Sequence, residues 1–265
     1  MSLIALATRD PALTADVRQA LDRRWHDLLQ GPSWNSTLGR IKERPVSLLL
    51  LDPDVLPPTD ARAALVGLRR SFPSVPILLL ARRGHARLLF ELGRSRVGPL
   101  GLVEAEVRPA GLARAVARSL ERSAPGMVAR ALGGIISPRE VAVVRGALEV
   151  SHRCWSADRL ARSFGLSRPA LSERIKEEGL PSVGHLMVWA RLLHAAHWLP
   201  DPGRSGESVS RQLEYANGAV FRRALRNYVG LTPTALVQEG GLRCVVEAFV
   251  LRHAAPLVRP RFWVA

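Results

Sequence analysis

Few residues of the types that carry catalysis or bind metals occur in this sequence, and their spacing predicts no reaction. The seven histidines are scattered, and there is neither a glycine-rich phosphate loop nor a Gly-x-Ser-x-Gly motif. His194 and His197 lie one helical turn apart, but no Cys, Asp or Glu is placed to complete a metal site, which favours a buried or flanking role. Cys154 and Cys244 match no metal or redox spacing and are expected to be reduced thiols. We therefore predict a protein that is not an enzyme and that holds no metal or cofactor.

The side chains with a recognisable pattern are instead those that could contact DNA. Residues 160–175 have the spacing of two short helices joined by a tight turn, in which Gly165 can adopt positive φ. Ser167 is expected to cap the second helix at its N-terminus. The positions expected to pack the two helices together are Ala161, Leu166, Leu171 and Ile175. This pattern favours a helix-turn-helix over an ordinary helical hairpin.

The second helix of this unit leaves polar side chains facing outward, as a recognition helix in the major groove does. Its candidate DNA contacts are Ser167, Arg168, Ser172, Glu173, Arg174 and Lys176. Of these, Arg168, Ser172 and Arg174 are expected to contact base edges.

A second copy of the pattern begins 49 residues further along the chain. The small, turn and two apolar positions are repeated by Ser210, Glu214, Tyr215 and Val220. A glutamate forced to positive φ costs on the order of 1 kcal/mol, so the geometry of this second turn is in question. The candidate DNA contacts of this copy are Asn217, Arg222, Arg223 and Arg226, whose arginines are expected mainly to contact phosphate.

One long helix is predicted between the two copies, opened by Ser182 and stopped by Pro200. About 17 helical residues span roughly 25 Å. Successive major grooves lie about 34 Å apart, so two recognition helices on this strut could enter both grooves if the DNA bends or the units tilt.

Residues 138–238 resemble the C-terminal DNA-binding domain of the AraC family of transcription regulators. The matching segments are Leu160-Ala161 with Gly165-Leu166-Ser167, Arg191-Leu192 with Ala195-Ala196, and Phe221 to Arg226 followed by Gly230-Leu231-Thr232-Pro233. Glu214 and Ser210 depart from the family pattern, which usually has glycine and alanine there. The resemblance implies two helix-turn-helix units, a linking helix and double-stranded DNA as partner.

Length and charge agree with two folded domains and a polyanionic partner. The chain has 265 residues and a formal net charge of +15, spread over both halves. A basic surface without a specific partner is the alternative for the first half. The absence of a long apolar run and of a basic signal-like start predicts a cytoplasmic protein that does not enter membranes.

The first half alternates apolar runs with helical patterns, which predicts a parallel sheet with helices on both faces. Strands are expected at 3–7, 46–51, 75–81 and 100–103, with a weaker one within 30–40. Helices are expected at 12–25, 61–71, 86–92 and 109–122. The predicted fold class is thus α/β plus all-α, with an N-terminal flavodoxin-like sheet and a C-terminal double helix-turn-helix.

Residues 1–122 resemble the receiver domain of bacterial response regulators, with Asp52 at the phospho-accepting position. The resemblance places the metal-binding acidic pair at Thr8 and Arg9, and the switch hydroxyl and the lysine at Ala81 and Ala105. Phosphorylation of an aspartate needs a metal held by carboxylates, so we predict a degenerate site, a pseudo-receiver. Asp52 is expected to pair with Arg9 or to cap a turn rather than to accept phosphate.

The predicted domains are 1–122 (receiver-like), 123–137 (linker), 138–240 (AraC-type) and 241–265 (helix and tail). Ser137 and Glu140 should form a capping box at the first helix after the linker. The last helix is either a strap over an apolar surface or a contact for a second copy or for RNA polymerase.

Together these features predict a sequence-specific transcription regulator that works without phosphorylation and dimerises or binds a partner through its first domain. The expected dimer surface comprises Leu88, Leu89, Leu92, Leu112 and Val116. The alternatives are an interaction adaptor with weak or no DNA binding and a conventional phospho-switched response regulator.

Overall fold

The computed structural model describes residues 2–23, 26–57, 60–94, 101–104, 108–150 and 156–253. The chain divides into two compact units. The N-terminal unit comprises 1–123 and the short segment Asp201–Ser205, and the C-terminal unit comprises 124–200 and 206–265.

The N-terminal unit is a five-stranded parallel sheet with strand order β2-β1-β3-β4-β5. Its strands are β1 (Ser2–Ala7), β2 (His26–Gly31), β3 (Leu48–Leu51), β4 (Ile77–Ala81) and β5 (Gly101–Glu104). Its helices are α1 (Pro11–Ala20), α2 (Trp34–Glu43), α3 (Ala61–Ser71), α4 (Ala86–Arg94) and α5 (Pro109–Leu120). This order of parallel strands confirms the predicted flavodoxin-like class.

The central strands are buried on both faces, which explains their nearly continuous apolar sequence. Every residue of β1, β3 and β4 is buried. Alternate residues of β3 point to opposite sides of the sheet, with Leu49 and Leu51 in one apolar cluster and Leu48 and Leu50 in the other. The sheet therefore holds the carboxyl end of β3, and Asp52 after it, in a fixed position.

The weaker strand expected within 30–40 exists as β2, but it lies earlier in the chain than predicted, because β2 ends at Gly31 and α2 occupies most of that range. Ser33 caps α2 by accepting a hydrogen bond from the Ser36 backbone N–H at 3.3 Å. Strand β2 lies at the sheet edge and is only half-buried, so its sequence lacks the apolar run that marks the central strands. Helix α1 also ends at Ala20, earlier than the pattern over 12–25 indicated.

The C-terminal unit is all-helical, which completes the predicted α/β plus all-α class. Its helices are α6 (Ala124–Leu132), α7 (Pro138–Val150), α8 (Ala157–Ser163), α9 (Arg168–Glu177), α10 (Val183–Trp198), α11 (Gly206–Gln212), α12 (Gly218–Val229), α13 (Pro233–Gln238) and α14 (Leu242–His253). The capping box is present, since Glu140 accepts from the Ser137 backbone N–H at 2.5 Å and donates its own N–H to the Ser137 hydroxyl at 3.1 Å.

The predicted linker and the predicted last helix both contribute to the core of the C-terminal unit. The expected linker 123–137 contains α6, whose Val128 and Leu132 are buried in the core. Val245 and Phe249 of α14 are buried in the same core, which supports the strap interpretation of this helix. Among the described residues, no helix combines the length and apolar character that a membrane crossing needs.

Candidate nucleic-acid interface and degenerate phosphorylation site

The first helix-turn-helix consists of α8, a tight turn and α9. Gly165 has φ of 67°, and the Leu166 N–H donates to the Ala161 carbonyl at 2.9 Å. Ser167 caps α9, because its hydroxyl accepts from the Ala170 N–H at 3.3 Å. Leu171 and Ile175 are buried. The predicted motif therefore forms, with the turn glycine in the left-handed conformation that it was expected to adopt.

The second helix-turn-helix, α11 and α12, has a turn of the same geometry. Glu214 has φ of 56° and is the only described non-glycine residue with positive φ. The Tyr215 N–H donates to the Ser210 carbonyl at 3.1 Å, as Leu166 does to Ala161. The turn therefore forms although glutamate replaces glycine, and Glu214 adopts the strained left-handed backbone conformation.

The prediction that Val220 repeats the core position of Leu171 was wrong. Val220 is 44 % exposed, whereas Phe221, 50 residues after Leu171, is buried. Asn217 caps α12 by accepting from the Val220 N–H at 3.0 Å. One more residue separates the turn from the cap in this copy than in the first, so the buried positions of α12 are offset by 50 residues rather than 49.

All the predicted DNA-contacting residues are exposed, and the two recognition helices differ in charge. The exposed set is Ser167, Arg168, Ser172, Glu173, Arg174 and Lys176 at α9, and Asn217, Arg222, Arg223 and Arg226 at α12. Helix α12 contains three arginines and no acidic residue, whereas α9 also contains Glu173 and Glu177. A face that carries only positively charged side chains suits contact with phosphate. A face that carries both positively and negatively charged side chains can form different hydrogen bonds with different base edges.

Helix α10 runs through the core of the C-terminal unit between the two helix-turn-helix motifs, and two of its polar residues contact groups of that core. The His194 side chain is buried, donates from Nε2 to the Leu148 carbonyl at 3.0 Å, and packs against the Trp198 ring. Because a carbonyl only accepts, Nε2 carries the proton. Burial lowers the pKa of His194 to about 4. Arg191 lies over the Tyr215 ring at 5.4 Å, which ties α10 to the second turn.

In the N-terminal unit, the Asp52 carboxylate is buried, and each of its two oxygens accepts a hydrogen bond. It accepts from the Thr8 hydroxyl at 2.7 Å and from the Asp54 backbone N–H at 3.1 Å. The second bond caps a short 3-10 turn over Pro53–Val55. Of the two roles expected for Asp52, the structure shows the turn cap.

The expected pairing of Asp52 with Arg9 was wrong. Arg9 is exposed, and its Nε donates to the Pro32 carbonyl at 3.3 Å. The cation at this site is Arg82, directly after β4, which forms an ion pair with Asp10 and approaches Asp54 at 3.7 Å. Parallel strands end at one edge of a sheet, so a residue following β4 lies beside those following β1 and β3. The strand order of a flavodoxin-like sheet is the signal that would have identified Arg82, because it brings the end of β4 next to the end of β3.

The surroundings of Arg82 keep its guanidinium positively charged, and those of its ion-pair partner Asp10 keep that carboxylate negatively charged. Burial disfavours its charge, but the hydrogen bond with Asp10 and the Asp52 and Asp54 carboxylates raise the pKa of Arg82 overall. Hydrogen bonds from Ala12 and Leu13 N–H groups and from Arg82 lower the pKa of Asp10. Asp10 also caps α1 through the Ala12 N–H. This arrangement keeps opposite charges fixed at the edge of the sheet.

The site does not fit the Mg²⁺ that a phosphorylated receiver uses. Asp52, Asp54 and His85 each place one ligand atom within 4.8 Å of the others. His85 Nε2 is, however, 2.9 Å from Asp54, and Arg82 approaches the same Asp54 carboxylate at 3.7 Å. Mg²⁺ needs several carboxylate or water oxygens around it, and a guanidinium among them repels it. Ala81 supplies no hydroxyl, and Ala105 lies outside the described residues.

The apolar surface expected to mediate dimerisation was also placed wrongly. Leu92, Leu112 and Val116 are buried in the core of the unit, and Leu88 and Leu89 pack partly against it. Among the residues of this unit that the structure describes, the large apolar side chains that are exposed are Phe90 of α4, at 67 %, and Leu102 of β5, at 55 %. The helical spacing of these leucines and the valine marks the face of α4 and α5 that packs into the core. Apolar residues that face a core and apolar residues that face a partner recur along a helix with the same period, so the spacing did not distinguish the two.

Comparison with known families separates the helical unit from the sheet unit. Residues 160–239 match the family model described as "Helix-turn-helix domain". This region is an AraC-type helix-turn-helix domain. The matched region holds both turns and both recognition helices of the AraC-type domain, and α14 lies beyond it. No curated protein matches the sequence.

Several solved response regulators are similar to the chain at low identity. A CheY-like receiver domain protein from Methanospirillum hungatei is 17 % identical over 46 % of this chain and 94 % of its own, with a TM-score of 0.40. RcsB from Salmonella enterica serovar Typhimurium, bound to promoter rprA, is 18 % identical over 70 % of this chain and 97 % of its own, with a TM-score of 0.38. FixJ from B. japonicum is 16 % identical over 73 % and 97 %, with a TM-score of 0.37.

Proposed function

We propose that the protein is a sequence-specific, DNA-binding transcription regulator. The observation that carries this proposal is the pair of matching turns in the AraC-type domain, Gly165 at φ 67° and Glu214 at φ 56°, each followed by a capped helix with exposed polar side chains. Double-stranded DNA presents two successive major grooves to such a pair of helices.

The different roles that we propose for α9 and α12 follow from the charges of their exposed side chains. The exposed Arg222, Arg223 and Arg226 of α12 suit the phosphate backbone, where contacts add affinity without sequence preference. Arg168 and Ser172 lie in the first half of α9, the end that approaches base edges in a helix-turn-helix. We therefore assign sequence recognition mainly to α9 and general affinity mainly to α12.

DNase footprinting with competitor DNA tests this function. The wild-type protein should protect defined sites that survive an excess of unrelated DNA. The triple variant Arg222→Ala, Arg223→Ala, Arg226→Ala should lose protection, while Arg62→Ala, which removes an exposed arginine from α3 in the other unit, should keep it. The absence of any competitor-resistant protection by the wild type would favour an adaptor that acts through protein contacts.

The second part of the proposal is that the receiver-like unit works without phosphorylation. The engaged Asp52 carboxylate and the ion pair of Arg82 with Asp10 support it. A guanidinium already neutralises the carboxylates that a metal would neutralise in a phosphorylated receiver. The unit is therefore proposed to serve as a fixed surface for dimerisation or for a partner, with Phe90 and Leu102 as its exposed apolar residues.

Dimerisation is tested by the mass of the protein in solution. Phe90→Glu and Leu102→Glu should each shift a dimer toward monomer in sedimentation or light scattering. Leu251→Glu, at an equally exposed position of α14, is the control and should leave the mass unchanged. A wild-type protein that is monomeric at high concentration would contradict dimerisation and leave binding of a different partner as the role of this surface.

A further inference from the structure

Glu173 has the placement of a base-contacting residue on α9. The residues of α9 that enter the core are Leu171 and Ile175, two positions before and two positions after it. At about 100° per residue, Glu173 lies roughly 200° around the helix from each of them, on the side opposite the core. Its side chain is exposed and lines an open groove together with Pro169, Arg174 and Arg139.

No protein group in the described part of the chain engages the Glu173 carboxylate. Other glutamates of the unit are paired, such as Glu178, which lies 3.9 Å from Arg139 and accepts from the Ser137 hydroxyl at 3.4 Å. Glu149 likewise accepts from Arg145 at 2.9 Å, one helical turn away. Glu173 therefore presents a free acceptor on the face of α9 that the proposed function directs toward DNA.

A carboxylate on that face is unfavourable beside phosphates but useful beside one base. Phosphate repels it, so it does not add general affinity. In the major groove, cytosine presents an amino donor, whereas guanine and thymine present acceptors that repel a carboxylate, and adenine places an acceptor next to its amino group. We propose that Glu173 is a specificity-determining residue that accepts a hydrogen bond from a cytosine amino group in the site bound by α9. This inference rests on the proposed function and specifies it.

In vitro selection of binding sites with the full-length protein tests the inference. The wild type should enrich a motif with cytosine at one position of one half-site. Glu173→Gln should change the preference at that position alone, from cytosine toward adenine, because an amide can both accept from and donate to adenine; we expect about a tenfold change in relative affinity. Glu177→Gln is the matched control, since it removes the same charge one turn further along α9, and it should leave the motif unchanged.

The possible outcomes separate the inference from the function on which it rests. A wild-type motif that Glu173→Gln leaves intact overturns the role of Glu173 but not DNA binding. An equal rise in affinity for all sequences in Glu173→Gln also overturns it, because the carboxylate then acts only by repulsion. If the wild type enriches no motif at all, the proposed function itself fails. Equal thermal stability of the three proteins, expected for exposed side chains, verifies that folding is unchanged.

Discussion

Glu214 occupies the same backbone position as Gly165, with φ of 56° against 67°. The equivalent hydrogen bonds, from Leu166 to Ala161 at 2.9 Å and from Tyr215 to Ser210 at 3.1 Å, show that both turns close in the same way. A glutamate pays a steric penalty there that glycine does not. The second helix-turn-helix is thus formed, but its turn is strained at Glu214. Substitution of Glu214 therefore tests how this strain affects stability and DNA binding.

Glu214→Gly should stabilise the C-terminal unit by about 1 kcal/mol and tighten DNA binding, because it removes both the strain and a carboxylate near the path of a phosphate. Chemical denaturation and equilibrium DNA binding measure the two effects. Glu214→Ala is the control, since it removes the charge but keeps the strained conformation. If Glu214→Gly binds DNA no more tightly than the wild type, the glutamate does not weaken DNA binding and its carboxylate lies away from DNA.

Arg168→Ala and Arg226→Ala should weaken DNA binding in different ways. Loss of a base contact by Arg168 should cost roughly 1–3 kcal/mol and relax the preferred sequence. Loss of a phosphate contact by Arg226 should weaken binding to all sequences alike and reduce the salt dependence. Titrations of specific and scrambled DNA at several salt concentrations distinguish the two. Unchanged affinity and specificity in Arg168→Ala would show that α9 meets DNA through other residues.

The wild-type protein should form no phosphoryl adduct when incubated with a small phosphodonor and Mg²⁺. Asp52 is engaged by Thr8 and the turn, and Arg82 holds the neighbouring carboxylates. The phosphodonor should therefore change neither the intact mass nor the DNA affinity of the wild type or of Asp52→Asn. A stoichiometric adduct that changes DNA affinity in the wild type alone would instead establish a phospho-switched response regulator.

The sequence predicted features that depend on local pattern and missed those that depend on which strands are neighbours. Buried runs such as Leu48–Leu51 indicated the central strands, and Gly165 with Ser167 indicated the first turn, because burial and backbone conformation restrict residue type locally. The ion pair between Arg82 and Asp10 joins residues 72 positions apart, and no local pattern marks it. The extra residue before Asn217 escaped detection for a related reason, since a repeat of fixed spacing assumes turns of equal length.

The C-terminal unit should lose stability as the pH falls from about 6.5 toward 4. Burial lowers the pKa of His194 to about 4 from an ordinary value of 6.5, so in this range the unfolded chain binds a proton that the folded chain does not. His194 therefore reduces the free energy of unfolding by up to roughly 3 kcal/mol at the acid end, and this loss is absent above pH 6.5.

Urea denaturation across this pH range measures the effect. His194→Gln keeps a donor for the Leu148 carbonyl but does not titrate. Its stability will be lower overall because it lacks the ring that packs against Trp198, but its pH dependence should be flatter than that of the wild type. An identical slope in both proteins would mean that other groups dominate acid unfolding.

A genome-wide map of DNA occupancy in the native host tests the central claim most directly. We predict that the wild-type protein occupies a limited number of sites that share one motif, and that Arg168→Ala, at equal protein level, loses most of them. Transcripts next to these sites should change when the protein is removed. Occupancy spread without a common motif, or identical maps for the wild type and Arg168→Ala, would contradict sequence-specific regulation through the AraC-type domain.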